Sequence, residues 1–144
     1  MISPPDHHLL SKNGIDVALL AAESFLVREP GSGTRVVSAR ALALRGVRLT
    51  NTMRVGGTEA IKQGVAAGLG LAIVSRAAAA DQLALGRIAI LQVNGLVMER
   101  TLAQIKLRGR SPTAATHELD LLLAEDAVEH RSGDGPRRRR CHTA

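Results

Sequence analysis

The chain has 144 residues, 45% hydrophobic and 22% charged, a size and balance that fit one ordinary domain and exclude a collagen-like fibre or a chain disordered throughout. Phe25 is the single aromatic side chain, with neither Trp nor Tyr, so the stacking platforms of single-strand and RNA-recognition folds have nothing to be built from. The formal charge of +6 is unevenly spread: residues 131–144 hold five Arg against one Asp and carry +4 of it, which makes the basicity mostly a property of a tail.

Pro4 and Pro5 lack N–H donors and restrict the residues before them, so Pro4 to His8 is expected extended or in turns, as a linker. Asn13-Gly14 opens the apolar stretch Ile15 to Ala22, where Asp16 can cap one helical turn. Phe25-Leu26-Val27 reads as a strand running into Arg28-Glu29-Pro30-Gly31-Ser32-Gly33-Thr34-Arg35, where Pro and two Gly force a tight turn. Val37, Ala41 and Leu44 then recur at helical spacing up to Gly46.

The unit repeats. Asn51 to Val55 reads as a strand, Gly56-Gly57 as a turn, and Thr58 onward as a helix with Ile61, Val65 and Leu69 inward. Leu71 to Val74 is apolar throughout, as buried parallel strands are. Ala77 to Leu85 favours helix and stops at Gly86, and Ile88 to Val93 and Met98 to Leu107 are strand candidates. Pro112 can sit in the first turn of a helix that places Leu119, Leu122 and Leu123 on one face. From Arg131 onward there is no apolar periodicity, and a disordered tail is expected. Strands alternating with helices predict an α/β architecture with a mainly parallel sheet.

In such sheets ligands collect beyond the carboxyl ends of the strands, where turns present helix N-termini. At the first turn Ser32 or Thr34 can cap the helix, the glycines let backbone N–H groups approach a ligand, and Arg35 adds a fixed charge suited to carboxylate or phosphate. At the second, Gly56-Gly57-Thr58 offers the same arrangement with Lys62 and Gln63 one turn on. Together they describe an anion-binding cleft. The same residues also serve as ordinary capped turns with no ligand, and Glu29 and Glu59 would repel an anion unless paired with Arg28, Arg35 or Lys62.

Other chemistries lack their motifs. Gly31-x-Gly33 has no Gly-Lys-Ser/Thr ending, and no Gly-x-Gly-x-x-Gly opens a helix. His7 and His8 are adjacent, and His117, His130 and His142 are scattered, so they read as linker or surface residues rather than metal ligands. No Ser/His/Asp set emerges, and neither an enzyme nor a cofactor is expected. Cys141 is the one cysteine, leaving no internal disulfide. Met1 to Asp6 is unlike a signal peptide, and no apolar run reaches the roughly 18 residues of a membrane span, so a cytoplasmic protein without membrane contact is expected.

Two segments carry a family resemblance: Phe25-Leu-Val-Arg-Glu-Pro-Gly-Ser-Gly-Thr-Arg35, and Thr58-Glu-Ala-Ile-Lys-Gln-Gly-Val-Ala-Ala-Gly-Leu-Gly-Leu-Ala-Ile-Val-Ser-Arg76. The sequence resembles the effector-binding domain of LysR-type transcriptional regulators from about Ile2 to Leu123, and within that family the regulators of Calvin-cycle (RuBisCO) operons. The resemblance implies a periplasmic-binding-protein-like (type 2) fold of two α/β subdomains with an effector between them. It implies a fragment holding the second subdomain and the return segment of the first. The corresponding divisions are 1–24 as crossover from the first subdomain, 25–97 as the second, 98–130 as return strand and C-terminal helix, and 131–144 as tail.

Carried over by position, the family's effector contacts fall on Ser32, Gly33, Thr34 and Arg35, and on Thr58 and Gln63. The implied partners are a small anionic metabolite, promoter DNA bound through an N-terminal domain absent from this sequence, and further copies in a homo-oligomer, a tetramer in the full-length family. There are departures: His8-Leu9-Leu10 replaces the usual His-Pro-Leu-Ala, Ser24 stands where Pro is common, and Gly56-Gly57 replaces small polar residues. The competing reading is a transporter's solute-binding protein, which shares the fold.

Overall fold

The computed structural model describes residues 1–12, 14–99, 103–107, 109 and 111–131. They form two units, divided between Leu102 and Ala103.

The first unit is an α/β layer structure. Its strands are β1 (Ile2–Ser3), β2 (Phe25–Arg28), β3 (Thr52–Val55), β4 (Leu71–Ala72) and β5 (Ala89–Ile90), in the order β3-β2-β4-β1-β5. β2 runs parallel to β3 and β4, and β1 lies antiparallel to both β4 and β5. Four strands therefore point one way, as expected, with one reversed strand between them. That strand is an addition to the linker reading of the opening segment. Two residues are too few to carry an alternation, so nothing local marks Ile2 as a sheet position. A 3-10 turn, His8–Ser11, follows it and includes His8, which was expected outside any helix; the His7 side chain caps this turn.

Side chains alternate across β2. Phe25 packs with Leu9, Ile15, Leu20, Leu42, Val47, Leu71 and Leu91 on one face, and Leu26 with Ile2, Ile61, Val65, Ala72, Ala79 and Ile88 on the other. Both faces are thus covered. α1 (Gly33–Ala43) and a second 3-10 turn (Val17–Ala22) serve the first face, and α2 (Thr58–Ala66) and α3 (Arg76–Ala84) the second. Asp16 caps the second 3-10 turn, its side chain accepting from Ala18 N–H at 2.9 Å. Gly70 enters β4 at φ +142°, and a Cβ there would lie 2.4 Å from the Ser24 carbonyl oxygen, so only glycine lets the chain pass.

The expected stripe holds on α2 at Ile61 and Val65, whereas on α1 the packed residue is Leu42, outside the expected set, with Val37 and Ala41 only half-buried. α1 stops at Ala43 and buries Leu42, leaving Leu44 exposed, and α2 stops at Ala66, leaving Leu69 exposed. α1 ends just before Gly46, where a stop was expected, whereas α2 ends one turn sooner than the spacing suggests because Gly68 adopts positive φ and turns the chain away.

In the second unit, α4 (Ala114–Arg131) begins after Pro112, with the Thr113 hydroxyl accepting from Thr116 N–H at 3.3 Å. Leu119, Leu122 and Leu123 are about half exposed rather than packed. The strand expected over 98–107 is not formed by Met98, Glu99 or residues 103–107, which make no ladder, and residues 100–102 lie outside the described residues. Ile105 and Leu107 are exposed, so these apolar side chains have no sheet to join within their own unit. The tail expected to be disordered falls, from residue 132, outside the described residues. Among the described residues no helix is long and apolar enough to cross a membrane.

Candidate functional site

β2 and β3 are parallel and in register, with Arg28 beside Val55, so the turns that follow them emerge side by side at one end of the sheet. In the first, Ser32 N–H donates to the Glu29 carbonyl at 3.3 Å, with Pro30 second and Gly31 third at φ +90°. Proline presets the second position and the third requires positive φ, which is the type II pattern. In the second, Gly57 at φ +83° precedes α2.

Ser32 and Gly57 occupy the N-cap positions of α1 and α2, and neither makes a side-chain cap hydrogen bond. Ser75 before α3 does so, accepting from Ala78 N–H. Helix starts without such a cap present N–H donors and the positive end of the helix dipole to whatever lies in front of them.

Arg28, the last residue of β2, ties the two turns together. Its Nε and Nη2 donate to the Glu29 carboxylate at 2.8 and 2.7 Å, and its Nη1 donates to the Thr58 hydroxyl at 2.7 Å. Glu29 Oε2 also accepts from Gly57 N–H at 3.4 Å. The Arg28 hydrogen bonds, helped by backbone N–H donors, hold the Glu29 carboxyl down at about 2. Glu29 is thereby held ionised and paired with Arg28 rather than left as an unbalanced negative charge. Because Thr58 accepts from Arg28, its own O–H remains a donor for an acceptor group.

Arg35 is half-buried, and its Nη1 donates to the Arg28 carbonyl at 3.0 Å. With Arg28, Thr34 and Ser38 it lines a hollow of about 20 Å³, space for a single water. A larger groove of about 500 Å³ runs along α1 to Thr52, at the opposite end of β3 from the turns.

The six residues expected at the site divide. Ser32, Gly33, Thr34, Arg35 and Thr58 gather at the two adjacent helix starts. Gln63 lies further along α2, exposed, with its side chain donating to Glu59 at 3.0 Å. Glu59 also pairs with Lys62 at 2.7 Å, and these two donors, Lys62 foremost, lower its pKa. Both acids that would repel an anion are therefore paired with cations. Sequence reasoning named Arg28 only as a counter-ion and missed its span between the turns. The signal was its position: a charge ending a strand flanked on both sides must find partners beyond the sheet.

The LysR substrate binding domain matches residues 1–127. The chain belongs to that family. It is 37% identical over 132 residues to the RuBisCO operon transcriptional regulator of Allochromatium vinosum, covering 90% of this chain and 43% of that protein. It is 39% identical over 130 residues to the HTH-type transcriptional regulator CbbR of Xanthobacter flavus, covering 88% and 39%. The chain thus spans less than half the length of these curated relatives. Among solved structures, the Synechocystis PCC6803 CcmR regulatory domain in complex with 2-PG superposes with a TM-score of 0.69 at 27% identity, covering 86% of this chain and 60% of that one. The effector binding domain of QuiR in complex with shikimate has the same fold, with a TM-score of 0.68 at 16% identity. These likenesses fit the type 2 periplasmic-binding-protein-like architecture, and the relatives named are regulators rather than enzymes or transport proteins.

Proposed function

We propose that this LysR-family chain is the effector-sensing part of a cytoplasmic regulator of a Calvin-cycle operon, and that it responds to a small anionic, phosphorylated metabolite. The observation that carries the reading is the pair of helix starts joined by the Arg28 to Thr58 hydrogen bond. Two dipole ends, the Thr58 O–H and Arg35 converge there as donors, which selects an acceptor-rich ligand. Ser32, Gly33 and Thr34 supply backbone and hydroxyl donors of the first turn, and Gln63 extends the contact along α2.

A hollow of about 20 Å³ is far below the roughly 300 Å³ or more of a metabolite pocket. The two turns therefore form one wall of a cleft whose other wall belongs to a first subdomain. In the longer protein, closure of that cleft on the effector shifts a two-state equilibrium. The change passes to copies of the chain in a homo-oligomer, and promoter DNA is held by an N-terminal domain. The RuBisCO-operon relatives and the neighbour solved with 2-PG support this assignment.

Calorimetric titration with 2-PG tests it. Hydrogen bonds to charged groups contribute about 1.5–3 kcal/mol, so the Arg35→Ala, Thr58→Ala variant should bind roughly tenfold or more weakly. Equal affinity in parent and variant would overturn the proposal.

A further inference from the structure

Away from the two turns, a different cluster gathers three potential metal ligands. His7 Nε2 lies 3.5 Å from one Glu23 carboxylate oxygen and His8 Nε2 lies 3.0 Å from the other. The three ligand atoms all fall within 4.8 Å of one another. The imidazoles stack with centroids 4.5 Å apart, which aims both Nε2 edges at the same carboxylate. The side chains of His7 and Glu23 are 13% and 16% exposed, against 65% for His8. The cluster is thus closed on two sides and open to solvent at His8.

Its charge balance calls for a cation. Glu23 is largely removed from water, and among the described residues no Lys or Arg pairs with it. Among those residues only the two imidazole nitrogens face its two oxygens, at 3.5 and 3.0 Å, leaving room in the charge balance for a bound cation. We propose that His7, His8 and Glu23 bind a divalent transition-metal ion of the zinc class, with water completing the coordination shell. Two imidazoles and one carboxylate suit such an ion, whereas calcium and magnesium require oxygen ligands throughout. Bonds of about 2.0–2.1 Å in tetrahedral geometry separate ligand atoms by roughly 3.3 Å. The nitrogen–oxygen separations of 3.5 and 3.0 Å, each to a different oxygen of the Glu23 carboxylate, are close to that value.

The tautomer of His7 adds a specific consequence. Leu9 N–H donates to His7 Nδ1 at 3.3 Å, so in the metal-free form the ring proton sits on Nε2. Coordination through Nε2 moves that proton, by way of solvent, to Nδ1, and the long Leu9 bond is released. The Leu9 amide is therefore a built-in reporter. Once bound, the ion ties the loop leaving β1 to Glu23, two residues before β2 begins. The sequence hid this site because Glu23 is distant along the chain from the two histidines.

The test is a zinc titration of the full chain at neutral pH, followed by calorimetry and by the Leu9 amide resonance. The Cys141→Ser, His142→Ala variant removes donors near the C-terminus that could bind zinc by themselves. One zinc per chain is expected, retained in that variant, with the Leu9 resonance moving on loading. His8→Ala, at an exposed position, and Glu23→Gln should each weaken binding by at least the roughly 10- to 100-fold that follows loss of even a supporting partner. Circular dichroism of the metal-free variants checks that both stay folded. No binding by the parent, undiminished binding by folded His8→Ala, or binding that vanishes in the Cys141→Ser, His142→Ala variant would each overturn the proposal.

Discussion

The turn after β2 and the turn after β3 hold equivalent places at the ends of neighbouring parallel strands, yet they are stocked differently. The first carries the charges: Arg28, Glu29 and Arg35. The second carries a self-contained pair, Glu59 with Lys62, and offers the Gly57 N–H and the Thr58 hydroxyl to the first. Their helices differ in the opposite sense. α1 buries only Leu42, while α2 buries Ile61, Lys62 and Val65. A turn whose helix is well packed is thus tied through Arg28 to a charged turn whose helix is lightly anchored. One element supplies position and the other supplies electrostatics.

This asymmetry can be broken at several points. The largest effect is expected at Ile61, which is 1% exposed: Ile61→Ala should cost about 2–5 kcal/mol in urea denaturation. Leu44→Ala at the C-cap of α1, where the side chain is 77% exposed, should change stability by less than about 0.5 kcal/mol. Similar losses at the two positions would mean that α1 is anchored as firmly as α2.

A smaller effect separates adjacent glycines. Gly57 has φ +83° with open space around it, and Gly56 has neither positive φ nor a close neighbour. Gly57→Ala should therefore cost roughly 1–2 kcal/mol through backbone strain alone, and Gly56→Ala next to nothing. Equal melting temperatures for the two variants would argue against a positive φ at the start of α2.

The division of labour was partly legible in the sequence. Pro30-Gly31 and Gly56-Gly57 announce turns because proline and glycine act on their own backbone dihedrals, a local effect. The helix stripes at Ile61 and Val65 were legible for the same reason. What was not legible depends on contacts across the chain. Arg28 meets Thr58 thirty residues on, and Ile2 enters the sheet between strands that come about seventy and ninety residues later. Leu69 matches helical spacing, but Gly68 with positive φ ends its helix first, and Leu44 matches it while Leu42 is the residue that packs.

Arg28→Lys sharpens the comparison further, since lysine keeps the charge and loses the fork that engages Glu29 and Thr58 together. Effector affinity should fall several-fold with stability little changed, and affinity equal to that of the parent would show that the bridge between turns is dispensable.

The smallest expected effect is the pH response of Glu29. Its folded pKa of about 2 lies below the ordinary 4.5, so the carboxylate favours the folded state. That contribution is complete above about pH 4.5 and fades as the pH falls towards 2. With the side chain 44% exposed, solvent screening keeps it modest. The Glu29 carboxyl resonance should titrate near the lower value, and an ordinary midpoint would indicate that the Arg28 pair is open in solution.

The most direct measurement is a nitrogen–proton correlation titration of the chain with 2-PG. If the two turns act as one anion site, the amides of Gly33, Thr34, Arg35 and Thr58 move together with a single apparent affinity, weakening as salt is added. Shifts confined to one turn, or lying along the groove beneath α1 instead, would contradict the account.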